Sequence, residues 1–233
     1  MTAFEGTRHE RTALLLGSEG MEKMASARVI IFGVGGVGSW CAEALARNGI
    51  GSLTLVDFDY VALSNVNRQL MATPLTVGQP KVEVLARRLR EIAPDAEIIT
   101  RRERFSADTA DSFELGSYDC VVDAIDSLKD KALLILRASN SPAALFSSMG
   151  AALKADPTRV RVAEFWDVRG CPLGAALRKK FRKEGTMPSK KFQCVYDDEL
   201  LPRRSDVNGT LAHITGIFGF TLAGLVTRHV TGI

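Results

Sequence analysis

The stretch Val29-Ile-Ile-Phe-Gly-Val-Gly-Gly-Val-Gly-Ser39 constrains this chain most: an apolar, β-branched run passes straight into a glycine turn. Apolar residues without alternation suit a strand buried on both faces, the kind found in parallel sheets. Gly33, Gly35, Gly36 and Gly38 permit positive φ and let a ligand approach the main chain. The helix that follows offers free N–H groups and the positive end of its dipole. About twenty residues on, a second apolar strand over 52–57 ends at Asp57, where a carboxylate accepts hydrogen bonds from ribose hydroxyls. Glycine turns also serve plain packing, but with Asp57 in register the pair points to a nucleotide site. Which nucleotide stays open at this stage.

The alternation continues. Helices are expected over 9–26, over 37–48 (closed by Gly49), over 80–92 (opened by Pro80 and stopped at Ala93-Pro94), over 107–115 and over 129–139. Further strands fall near 96–101, 118–123 and 143–148. This is the pattern of an α/β fold with a doubly wound, Rossmann-like, mainly parallel sheet. Beyond residue 150 the character changes. Residues 159–166 alternate like a strand with one wet face, 173–183 form a basic amphipathic helix, 192–196 a short strand and 210–230 an apolar helix. We therefore expect a core over 1–150 and a small α+β extension over 151–233, packed on the same core.

With 46% hydrophobic residues in 233, the chain can bury one sizeable core. No run approaches the roughly 18 uninterrupted apolar residues of a membrane span, and the polar N-terminal stretch is unlike a signal peptide. Cys41, Cys120, Cys171 and Cys194 form no CxxC pair, which excludes the usual zinc spacings and suggests a reduced, cytoplasmic setting. The net charge of +3 conceals an asymmetry: residues 178–191 alone carry seven basic side chains and one acidic.

Three features favour ATP over a nicotinamide cofactor. Asn65, Asn67 and Arg68 lie just past the acidic end of the second strand. Lys81 opens a helix, where the dipole disfavours a cation unless an anion such as a polyphosphate binds there. Asp123-Ala-Ile-Asp126 ends another parallel strand, on the edge where such sheets bind ligands, and Asp126 suits Mg²⁺ beside phosphates. Alone, each has a bland reading as a surface charge or a helix cap. Together they supply anion clamps and a metal ligand that NAD does not require.

In order and spacing, Gly33–Ser39, Asp57-Phe-Asp59, Ser64-Asn-Val-Asn-Arg-Gln69, Gln79-Pro-Lys81 and Asp123–Asp126 resemble the ATP site of the E1-like adenylating enzymes. Finer detail is similar to the tRNA threonylcarbamoyladenosine dehydratases: Gly38-Ser-Trp40, Ala42–Gly51, Asp126-Ser127, Pro172-Leu173 before a basic helix, and Phe218-Gly-Phe220. The resemblance implies ATP and Mg²⁺ as cofactors, Asp57 on the ribose, Asp59 beside it, Asn65, Asn67, Arg68 and Lys81 around the triphosphate, and Asp126 at the metal. It also implies a homodimer in which an N-terminal arginine, Arg11 first and Arg8 second, reaches the partner's nucleotide. The activity implied is cyclisation of the threonylcarbamoyl group on adenosine 37 of certain tRNAs. An acyl-adenylate forms, and the ureido nitrogen of the same base attacks it. The segment 203–206 stands where relatives carry a longer insertion.

For a tRNA partner the clustered cations Arg178, Lys179, Lys180, Arg182, Lys183, Lys190 and Lys191 are the expected phosphate contacts, against the bland reading of a solvated helix face. Cys41 and Cys120 read as inert core. Lys190 and Lys191 stand near Cys194, a setting that can lower a thiol pKa; against the favoured reading that no cysteine is essential stands one in which Cys171 or Cys194 forms a thioester with a carrier protein or accepts sulfur from a cysteine desulfurase. His9, His213 and His229 show no ligand spacing. Three competing readings stay open: activation of a ubiquitin-like or sulfur-carrier C-terminus, an NAD-linked oxidoreductase, and a non-catalytic ATP-binding scaffold.

Overall fold

The computed structural model describes residues 4–233. In chain order the elements are α1 (Glu10–Ser26), β1 (Arg28–Phe32), α2 (Gly38–Arg47), β2 (Ser52–Val56), α3 (Lys81–Ile92), β3 (Glu97–Arg101), β4 (Cys120–Asp123), α4 (Leu128–Ser139), β5 (Ala144–Ser148), β6 (Arg161–Glu164), α5 (Pro172–Glu184), β7 (Gln193–Tyr196) and α6 (Ala212–Thr231). The strands form one sheet in the order β3-β2-β1-β4-β5-β7-β6. Every pairing is parallel except that of the edge strand β6 with β7.

Side chains alternate along a strand, so Val29 and Ile31 face one helical layer while Ile30 and Phe32 face the other. The first layer draws Met24 from α1, Leu45 from α2, Leu85 from α3 and Phe218 from α6. The second is built from α4, α5 and an aromatic group in which Phe105 and Phe113 meet Phe32 edge-on at 5.0 and 5.1 Å. Helix α6 lies so close to α2 that a Cβ on Gly219 would come within 2.5 Å of the Val37 carbonyl oxygen.

Two expectations need correction. Residues 107–115 do not form an α-helix; they give 3₁₀ turns at Ala110–Phe113 and Leu115–Ser117, split by Glu114 at φ 44°. Short polar side chains take the backbone instead: Thr109 Oγ1 donates to the Arg104 carbonyl and accepts from the Ser106 N–H, and Ser112 Oγ donates to the Thr109 carbonyl. Such local bonds compete with a helix. Of the expected strand 159–166 only 161–164 is extended, because Asp156 and Glu164 cap 3₁₀ turns on either side of it. After β7, residues 197–211 run without helix or strand and are tied down at Leu153, whose N–H donates to Gly209 and whose carbonyl accepts from Leu201.

Candidate active site

A cavity of about 660 Å³ runs across the carboxyl ends of five adjacent parallel strands. Its walls come from the segments after β3 (Phe105), β2 (Asp57), β1 (the glycine turn), β4 (Asp126) and β5 (Gly150), completed by Thr210 and by Thr215, which lies against Gly36. The strand alternation thus places every chemically active loop on one rim.

The glycine turn is shaped by close approach. Gly33 takes φ +85°, and a Cβ there would sit 2.7 Å from the Ala124 carbonyl oxygen. A Cβ on Gly38 would fall 1.9 Å from the Gly33 carbonyl oxygen. Gly38 lets α2 pack on the turn, while Gly33, Gly35 and Gly36 line the cavity. Asp57 fastens the turn: its Oδ2 accepts from the Val34 N–H at 2.9 Å and its Oδ1 from the Asp59 N–H at 2.9 Å. Burial raises its pKa; Lys81 and the two N–H bonds oppose that rise and do not cancel it.

Lys81 is 6% exposed, and its Nζ donates to Asp59 Oδ2 at 2.7 Å. The dipole penalty expected at this helix start is therefore already met by Asp59. Arg68 lines the cavity; its Nη1 donates to the Ser64 carbonyl and to Asn67 Oδ1, and Trp40 Nε1 donates to its carbonyl at 3.2 Å. Asn65 and Asn67 stand behind this wall. Asn65 Oδ1 accepts from the Ala62 N–H, and Asn67 Nδ2 donates to the Thr210 carbonyl. Both asparagines shape the loop that presents Arg68.

Asp126 is exposed at the cavity wall. Asp123 is not available there: fully buried, it pairs with Lys131 Nζ at 2.8 Å and accepts from Ser147 Oγ at 2.7 Å. Lys131 also donates to the Ile125 carbonyl, which fixes the turn carrying Asp126. Sequence reasoning passed over Gln69, a buried cavity residue whose Oε1 has no partner. Its place at the end of the Ser64–Gln69 motif was the signal. It also passed over Phe58 and Arg104, which lie together at the β2 end with the guanidinium 5.5 Å from the ring centre.

Arg11 is exposed on α1 and does not line its own cavity, and Arg8 pairs with Asp95. In the basic segment Lys179, Arg182, Lys183 and Lys191 are exposed, whereas Lys180 pairs with Glu184. Lys190 is half-buried and donates to the carbonyls of Ser141 and Ala143, each at 2.6 Å. It therefore does not activate Cys194 as expected: burial pushes that thiol well above its ordinary range, and Lys131 is the cation that opposes the rise. All four cysteines are buried.

A Rossmann-like sheet whose ligand rim holds a glycine turn, a buried lysine, an arginine and an exposed aspartate defines a nucleotide-binding α/β protein. The ThiF family matches residues 8–233, and the chain belongs to that family. It is 42% identical over 189 residues to the tRNA threonylcarbamoyladenosine dehydratase of Bacillus subtilis (strain 168), spanning 81% of this chain and 74% of that protein. It also matches the solved E. coli tRNA N6-threonylcarbamoyladenosine dehydratase in complex with AMP, with a TM-score of 0.91 and 32% identity over 100% of this chain and 98% of that one. The same enzyme in complex with ATP matches with a TM-score of 0.89 and 33% identity over 97% and 94%. The expected family and fold are borne out.

Proposed function

We propose that this protein is an ATP-dependent tRNA threonylcarbamoyladenosine dehydratase working through an acyl-adenylate. One observation carries the reading: the likeness to a dehydratase solved with ATP and with AMP spans nearly the whole chain, C-terminal part included. A carboxylate is a poor electrophile, and its charge repels the α-phosphate it must attack. Arg68 and Lys81 on the rim draw off that charge and stabilise the departing pyrophosphate. A carboxylate oxygen bonds to the α-phosphorus as the bond to the bridging oxygen breaks. The ureido group then attacks the acyl carbon and loses a proton, and AMP leaves with the acyl oxygen. The balance is loss of one water, with ATP split to AMP and pyrophosphate. Both reacting groups belong to one nucleoside, so proximity supplies much of the second step, and no enzyme thiol is needed.

Asp126 fits a Mg²⁺ ligand, since one or two carboxylates beside phosphates are the usual environment. Among the described residues no group of three or more His, Cys, Asp or Glu could hold a metal alone, so Asp126 would hold the ion together with groups from the nucleotide and solvent. The ion supplies charge neutralisation at the phosphates. The exposed Leu14, Leu15, Leu63 and Leu75 support a homodimer, with Arg11 reaching the partner's nucleotide. Burial of all four cysteines argues against a sulfur-accepting thiol and hence against a desulfurase relay. Among the described residues no helix is long and apolar enough to cross a membrane, and a tRNA substrate goes with a cytoplasmic setting.

The test is to incubate the protein with ATP, Mg²⁺ and tRNA bearing threonylcarbamoyladenosine, then to weigh the released nucleoside. Loss of one water with AMP release is expected. An unchanged nucleoside, with adenylation of a carrier-protein tail instead, overturns the reading. Lys81→Ala and Arg68→Ala should each lower AMP production by about 100-fold or more while unfolding stays cooperative.

A further inference from the structure

Three arginines converge on one short turn outside the cavity. Arg169 Nη1 donates to the Trp166 carbonyl at 2.6 Å and to the Val168 carbonyl at 3.2 Å. Arg178 Nη1 donates to the Phe165 carbonyl at 3.3 Å. Arg182 lies over the Trp166 ring, 5.6 Å from guanidinium carbon to ring centre. The turn itself is fastened on both sides. Glu164 Oε2 caps it by accepting from the Trp166 N–H, and fully buried Phe165 is wedged against Trp166, Phe181 and Phe192 at 5.1, 5.8 and 5.0 Å. Trp166 is only half-buried, and Arg169 and Arg182 are exposed.

We infer that Trp166, Arg169, Arg178 and Arg182 form a landing site for the unpaired nucleotides that flank the target adenosine, with phosphates on the guanidinium groups and a neighbouring base stacked on the Arg182–Trp166 pair. The inference rests on the dehydratase reading and deepens it by naming the part of the RNA that is gripped. Sequence-tolerant recognition of single strands combines a cationic track with aromatic or guanidinium planes for stacking. Both occur here on one fixed turn.

Charge supports the same occupant. The acidic groups beside the arginines are Asp167, 4.0 Å from Arg169, and the capping Glu164. The three arginines outnumber these two carboxylates, and exposed Lys179 and Lys183 add positive charge to α5 on the adjoining face. Burial, and after it the like charges of Arg169 and Arg182, lower the pKa of Arg178, a repulsion that a bound phosphate relieves. Position completes the argument. Leu173, in the first turn of α5, lines the cavity. Arg178 stands five residues and Arg182 nine residues further along that helix, about 7.5 and 13.5 Å of rise. The antiparallel register pairs Glu164 with Gln193, so Trp166 lies toward the amino end of β7, and a strand whose modified base enters the cavity at the carboxyl rim must run back along α5 by about that rise to reach the patch.

The experiment compares wild type with Trp166→Ala, Trp166→Phe, Arg169→Gln and Arg182→Gln. It measures kcat and KM for modified tRNA, KM for ATP, and the salt dependence of binding to an anticodon stem–loop RNA. Trp166→Ala should raise KM for tRNA roughly 5- to 150-fold, the worth of one lost stack, with KM for ATP unchanged. Trp166→Phe should keep most of the affinity, because a phenyl ring still offers a face for stacking. Each arginine variant should reduce the slope of log affinity against log salt by about one. Unchanged RNA affinity and salt slope across the alanine and glutamine variants overturn the inference, as does a patch that captures acidic protein and not RNA. The stem–loop titration needs no chemistry, so it judges the patch even where wild type leaves the modified nucleoside unaltered, the result that sinks the dehydratase reading alone.

Discussion

Asp123 and Lys131 face each other with both side chains wholly removed from solvent. Burying two charges is costly, and their attraction repays it only when geometry and further hydrogen bonds are good. Ser147 and the Ile125 carbonyl provide those bonds. Lys131→Met leaves an unpaired buried carboxylate and should lower the unfolding free energy in urea by about 3–5 kcal/mol. The double variant Asp123→Asn/Lys131→Met should recover a large part of that loss. Asp57 supplies a second prediction. Burial raises its pKa, so it takes up its proton at a higher pH than an ordinary carboxylate. ATP affinity, which on our reading uses the ionised form on the ribose, should weaken as pH falls through that raised value, starting above the usual range near 4. In an Asp57→Asn variant affinity should be weaker at pH 7 and flatter with acid, as calorimetric titration from pH 7 to 4.5 will show.

Between helices, Glu43 on α2 is the main polar fastening. Nearly buried, it accepts from Arg88 of α3 at 2.6 Å and from Arg47 one turn along at 2.8 Å. Burial alone would raise its pKa, but the two guanidinium groups outweigh it and hold the carboxyl below its ordinary value. A depressed carboxylate contributes stability above its unfolded pKa and loses it as pH falls through the folded one. Glu43→Gln should therefore cost about 1–2 kcal/mol at pH 7, and its gap to wild type should close below about pH 4. At this scale most of the fold was legible. The unalternated runs at 28–32 and 52–57 and the breaks at Gly49 and Pro94 are strong signals because burial and backbone geometry act locally. The 107–115 segment was misread because its Thr109 and Ser112 bond to nearby backbone, a choice that composition does not reveal. Arg68, Lys81 and Asp126 were legible as rim residues, since each follows a strand end or opens a helix. The supporting places of Asn65 and Asn67, the capture of Lys190 by two carbonyls and the Trp166 platform were not legible. Asn65 bonds locally to the Ala62 N–H, a choice composition does not reveal, while the places of Asn67, Lys190 and Trp166 depend on contacts with segments distant in sequence.

At the scale of the whole molecule, the cavity draws on five strand ends, so its integrity is a property of the sheet rather than of one motif. On the dimer reading, Arg11 from one protomer serves the other's cavity. Mixing Arg11→Ala with Lys81→Ala protein should then restore up to a quarter of the sites in an equal mixture, by random pairing and retention of one intact site per mixed dimer. Two inactive preparations that stay inactive when mixed, with exchange verified by mass, would count against a shared site.

The position of β7 carries a consequence for biosynthesis. Gln193, Cys194 and Val195 cover the outer edge of Phe146, Ser147 and Ser148, and α6 covers α2. While the polypeptide is still emerging from the ribosome, β5 therefore has an open hydrogen-bonding edge and α2 a bare apolar flank until the final helix is released. A truncated chain ending at residue 150 should aggregate or be captured by chaperones rather than accumulate as an independent nucleotide-binding unit, and pelleting after expression will tell.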